Sequence, residues 1–183
     1  MPDLDLAMSR QISAQLIAYL VGKLPIADFA TWIHETPALR SLLSPADYDK
    51  LMSIDFQQAT APSLLDNLLR GYIDWAQYEK EQLSELLMAI IWNDNAPAAL
   101  VQAHERYTQG LTFLKVLGNE YGLAIRTAFG PTPGPEAEQD PLLTTLYPKV
   151  REEAKRLLTC LVADRITFTG TYTPEGFPEF TQV

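Results

Sequence analysis

Apolar positions recur at helical spacing over most of the chain. Across residues 4–22, Ile12, Leu16, Tyr19 and Leu20 fall at i, i+4, i+7 and i+8, which predicts an amphipathic helix closed by Gly22 and Pro25. Residues 25–35 carry Ile26, Phe29, Trp32 and Ile33, a short helix. Thr36-Pro37 reads as an N-cap followed by proline at the first helical position, starting a helix over 38–43. Ser44-Pro45-Ala46-Asp47 repeats that signal with an acid three residues on, close to a capping box, ahead of Tyr48, Leu51 and Met52. Thr60-Ala61-Pro62 opens a helix with Leu64, Leu65, Leu68, Leu69, Tyr72 and Ile73 on one side and Asp66, Asn67 and Arg70 opposite. The cleanest stripe is Leu83, Leu86, Leu87, Ile90 and Ile91. A turn at 93–97 then restarts a helix near Pro97.

Residues 111–129 are apolar on both faces. Leu114, Leu117, Tyr121 and Ile125 make one face, and Phe113, Val116 and Leu123 add another, which predicts a central, buried helix. Gly118 and Gly122 interrupt it, each costing roughly 0.5–1 kcal/mol relative to alanine. Close approach of a neighbouring helix, or a break at this point, is the expected compensation. Residues 130–141 are rich in proline and glycine and read as a surface loop. Val150, Ala154, Leu157, Leu158 and Leu161 make the last long helix. The β-branched and aromatic run 166–172, the turn Thr173-Pro-Glu-Gly176 and the return to Val183 read as a β-hairpin or extended tail. The expected fold is predominantly α: one helical domain over 1–183, seven to nine helices, and a short β element confined to 166–183.

Composition narrows the function. The chain has 183 residues, 47% apolar and 20% charged, with a mean hydropathy of −0.06. Disordered and fibrous classes are excluded. No run approaches the ~18 apolar residues of a membrane span. The start, Met1-Pro-Asp-Leu-Asp5, is acidic and lacks a basic n-region, so no signal or transit peptide is expected. Cys160 is the sole cysteine, which excludes an internal disulfide and a multi-cysteine zinc site. Among Leu157, Leu158, Leu161 and Val162 it reads as a small buried hydrophobe, and a reducing cytoplasm is the expected compartment.

Charge is uneven. Of a net −9, residues 1–100 hold 13 acids against 6 bases, and the remainder 10 against 8. Phosphate contacts need clustered lysine and arginine, so nucleic acid and anionic membranes are not expected partners. The acids suit a basic protein partner, or serve solubility alone.

Catalytic chemistry is sparse. Neither His34 nor His104 lies at a metal-ligand spacing, and a solvated or capping role is expected of each. There is no glycine-rich phosphate loop and no Gly-x-Ser-x-Gly elbow. No catalytic residue, cofactor or metal is therefore expected. The carboxylate sets Asp47/Asp49, Glu79/Glu81/Glu85 and Glu136/Glu138 read as solvated helix faces or loop. Trp32, Trp75 and Trp92 each lie near an acid; core is the ordinary place for them, but an exposed tryptophan beside acids would anchor an interface.

Two segments carry a resemblance. Residues 28–40, with Phe29-Ala-Thr-Trp32, followed by residues 46–56, with Tyr48-Asp-Lys-Leu51-Met-Ser-Ile-Asp55-Phe56, resemble a group of small uncharacterised bacterial proteins with a Phe-x-x-Trp and Tyr-x-x-Leu-x-x-x-Asp-Phe pattern. Residues 107–123 and Leu146-Tyr147-Pro148 are also similar to that group. Some of its members are discussed as candidate immunity proteins of bacterial toxin systems. The chain departs from the group at Gln109, where a cysteine-containing stretch is common, and in its insert at 130–141. The resemblance implies a fold and a protein-binding role, and assigns no site residue.

Two classes of function stay open. One is a cytoplasmic immunity-type protein that neutralises a basic toxin by contact through Asp47, Asp49, Asp55, Asp66, Asp74, Glu79, Glu81 and Glu85. The other is a small helical enzyme or ligand-binding regulator with a pocket between helices. A scaffolding module is the remaining possibility.

Overall fold

A computed structural model describes residues 6–183; Leu4, Asp5 and the rest of the acidic start lie outside the described residues. Contacts gather the described residues into two compact units, divided between Asp74 and Trp75. The first contains α1 (Leu6–Leu20), α2 (Ile26–Glu35), α3 (Leu39–Leu42), α4 (Pro45–Ser53), α5 (Ala61–Leu69) and a 3-10 turn, Arg70–Tyr72. The second contains α6 (Trp75–Trp92), α7 (Ala96–Thr108), α8 (Leu123–Phe129), α9 (Pro141–Val162), β1 (Ile166–Tyr172) and β2 (Pro178–Gln182). The fold is predominantly α with one short C-terminal hairpin. The proline-rich segment lies inside the second unit, where Pro135–Gln139 forms a 3-10 turn with Ala137 buried.

In the first unit, Ile12, Leu16, Phe29, Ile33, Leu39, Leu51, Leu65 and Leu69 are buried. Tyr19 stacks on Phe29, which stacks on Trp32. Ser44 caps α4: its Oγ accepts from the Asp47 N–H at 3.2 Å and donates to Asp47 Oδ2 at 2.8 Å. The Tyr72 hydroxyl donates to the same oxygen at 2.7 Å and accepts from the Ser44 N–H at 3.0 Å. The other two expected starts differ in detail. Ala38, not Thr36, precedes α3, and the Thr60 side chain makes no capping bond. Tyr72 and Ile73 follow α5 rather than lying on it.

Helix ends share one device. Gly22 and Gly110 take positive φ after α1 and α7, and Asn93 and Asp164 do so after α6 and α9. In each case the next N–H reaches back five residues, as in Asp94 N–H to Ala89 O at 2.9 Å and Arg165 N–H to Cys160 O at 2.8 Å. These are Schellman closures, which satisfy carbonyls the helix leaves open.

The expected continuous helix over 111–129 is replaced by three pieces: a 3-10 turn (Thr112–Leu114), a π-helix (Lys115–Gly122) and α8. The two glycines explain the departure. A Cβ on Gly118 would stand 2.6 Å from Ala103 O, and one on Gly122 would collide with Leu100 O, both on α7. Close approach and a change of winding therefore occur together. Burial is also less complete than expected, since Leu123 is exposed. Leu86, Leu87, Ile90, Leu114, Leu117, Leu157 and Leu161 are core, with Tyr121 partly buried against them.

Tyr147 of α9 donates to Ile90 O and Ile91 O near the end of α6, while Asp164 just past α9 pairs with Lys80 near its start. The two helices are therefore antiparallel. In the hairpin, Ile166 pairs with Gln182 and Phe168 with Phe180. Ile166 and Phe168 are buried, and Phe113 meets Phe168 and Phe180 edge-on. An irregularity before Tyr172 includes Gly170, whose positive φ brings the strand against Ala76 of α6.

Candidate functional site

Helix α6 turns one stripe inward and another to solvent. The inward stripe is Trp75, Glu79, Leu83, Leu86 and Ile90, all buried. Glu79 is 5% exposed. Arg106 Nη1 donates to its Oε2 at 2.8 Å, and the Tyr172 hydroxyl donates to its Oε1 at 2.9 Å. Trp75 packs edge-on against Tyr172. One carboxylate thus joins α6, α7 and β1. This corrects the expectation that Glu79 faces a partner. It stands one turn before Leu83, on the apolar stripe, and a buried charge persists only when paired.

The outward stripe is Gln77, Glu81, Glu85, Met88 and Trp92, each exposed and spaced three or four residues from the next. Gln77 Nε2 donates to Glu81 at 2.6 Å and Gln82 Nε2 to Glu85 at 3.3 Å. These partners are neutral, and neither glutamate is in an ion pair among the described residues. Met88 is 41% exposed and Trp92 74%. Trp92 is the last residue of α6, directly before the Asn93 closure, and Asp94 beside it is exposed. Trp75, in contrast, is buried and Trp32 half-buried.

The other acids of the expected surface lie in the first unit. Asp47 is half-buried and committed to its cap. Hydrogen bonds from Tyr72, then Lys50 and Ser44, lower its pKa to about 2. Asp66 is half-buried and holds Arg70 at two points, 2.9 and 3.1 Å. Asp55 is exposed and closes a turn onto Gln57 and Gln58. Asp49 and Asp74 are exposed. Asp49 has one exposed apolar neighbour on its helix face, Met52, whereas Glu81 and Glu85 share theirs with two, Met88 and Trp92.

His104 corrects a second expectation. It is buried, with Nδ1 3.1 Å from Gly118 O, and so braces the π-helix against α7. His104 follows Leu100 by one turn, and a Cβ on Gly122 would stand 3.0 Å from the His104 Cβ, so that glycine lets the π-helix approach this part of α7. His34 is exposed beside Phe56. Cys160 is partly buried against the core. The first unit has an open cleft of about 610 Å³ lined by Tyr19, Leu24, Ile26, Asp66 and Asn67 among others, and by neither histidine. Burial, then the Asp66 charge, raises the Tyr19 pKa.

Met88 is absent from the surface read from the sequence. Its signal was available: it lies three residues after Glu85 and four before Trp92, opposite Leu86 and Leu87. No helix among the described residues is long and apolar enough to cross a membrane, and none of their carboxylate, histidine and cysteine groups forms a metal-binding cluster. No protein family, curated protein or solved structure matches the chain.

Proposed function

We propose that the chain is a cytoplasmic bacterial protein-binding module of the immunity type, which neutralises a basic toxin domain by direct contact. One observation carries the reading: a 74% exposed tryptophan closes a helix face that also holds two glutamates with no cationic partner among the described residues. Tryptophans in the centre of interfaces supply much of their binding energy. Uncompensated acids speed encounter with a basic surface. On this reading the chain is not an enzyme and takes no cofactor. The cleft of the first unit would support the alternative of a ligand-binding regulator, but its one carboxylate already holds Arg70.

The test is complex formation with a basic protein sought among the products of neighbouring genes or captured from the host cell. A 1:1 complex on size exclusion, loss of the partner's toxicity on co-expression, and association slowing steeply from low salt to ~0.5 M are expected. A toxin that remains active in the presence of excess chain, with no complex at micromolar concentrations, overturns the reading.

A further inference from the structure

The outward stripe of α6 has an order as well as a composition. Glu81 and Glu85 come first, then Met88, then Trp92 at the helix end. At 1.5 Å per residue, Glu81 to Trp92 spans about 16 Å, three turns of helix. Single exposed apolar residues, such as Val162 or Leu64, occur elsewhere and need no explanation. Met88 and Trp92 differ in lying one turn apart, in line with two uncompensated acids. The Schellman closure at Asn93 holds the last turn, so Trp92 leaves a fixed backbone.

Resting on the protein-binding reading above, we propose that this stripe docks an amphipathic helix of the partner, antiparallel to α6, whose apolar residues precede its lysines or arginines. Helix ridges repeat at the same pitch, so a helix seats side chains against all three turns. Charge complementarity sets cations opposite Glu81 and Glu85 and apolar side chains opposite Met88 and Trp92. Direction follows from the helix dipole. In the antiparallel arrangement the partner's cations fall in the C-terminal half of its helix, where the dipole favours them; in the parallel one they fall in the unfavourable half.

The test uses the full-length chain and synthetic helical peptides of 18 residues, read by fluorescence anisotropy. One peptide carries leucines at i and i+4 and lysines at i+7 and i+11. A second has the same composition with lysines first, and a third is scrambled. The leucine-first peptide is expected to bind, with the lysine-first peptide at least ~5-fold weaker and the scrambled one weaker still. Trp92→Ala is expected to weaken binding ~10-fold or more with an unchanged melting temperature. Glu81→Lys/Glu85→Lys is expected to weaken it ~10-fold at low salt and to flatten its salt dependence. No binding, equal binding of the three peptides, or equal affinity in both variants overturns the inference. These outcomes are independent of whether a toxin is neutralised. A toxin complex insensitive to both variants would leave the function standing and remove this surface from it.

Discussion

The two faces of α6 each carry residues of the polarity expected on the other. The buried face has Glu79; the exposed face has Met88 and Trp92. The difference lies in what answers them. Glu79 has both oxygens occupied by donors from α7 and β1, so its charge is used up inside the unit. Met88 and Trp92 stand exposed, beside glutamates that accept from glutamine amides and, among the described residues, pair with no cation. A polar group in a core with full partners belongs to the fold. Apolar groups on a surface with uncompensated charge beside them point outward.

Substitutions can break or sharpen this contrast. The largest effect is expected from two neighbours in sequence on opposite faces. Leu87→Ala should lower stability by roughly 2–5 kcal/mol through lost transfer energy and a cavity, whereas Met88→Ala should stay within about 0.5 kcal/mol. Urea denaturation of the two variants checks this, and equal midpoints would erase the distinction. Next comes Glu79→Ala, expected to cost about 2–4 kcal/mol. That is somewhat below a fully buried pair, because the Arg106 side chain keeps some contact with water. Glu85→Ala, on the outer face, should leave the same denaturation curve in place. Tyr172→Phe removes one of the two donors to Glu79 and should cost about 1–2 kcal/mol, detected as a lower thermal midpoint.

The smallest effect is expected at Asp47, a surface acid that is nonetheless committed internally. Its folded pKa of about 2 lies below the usual 3.8. Its contribution is therefore complete above about pH 4 and lost as pH falls through about 2. Asp47→Asn should melt below wild type at pH 6, with the gap closing toward pH 2 in a circular dichroism series. A gap constant with pH would show that the cap bonds do not depend on the charge.

How much of this was legible before the structure depends on the kind of signal. Helical spacing placed the stripes of α1, α2, α5, α6 and α9, and Gly22 marked its helix end because only small or polar residues take positive φ without strain. Asn93 and Asp164 close helices in the same way but carry no comparable mark, since both are common in ordinary turns. The pair Gly118 and Gly122 announced a close approach. What approached, α7 with His104, depended on residues more than a helix length away in the chain. The unit boundary at Asp74 left no trace in composition, because no proline- or glycine-rich run precedes α6.

By itself the sequence determined the helical class, the C-terminal hairpin, the main core positions and the acidic excess, all of which follow from local periodicity and composition. Tertiary structure alone decided the fate of individual charges. Glu79, Glu81 and Glu85 are the same residue within seven positions, and as a carboxylate set they read as solvated. Arg106 lies 27 residues from Glu79 and Tyr172 lies 93, and their arrival turned the first of the three into a structural group. A carboxylate's role is set by the donors that reach it, and those are brought by chain folding over distances that periodicity does not encode.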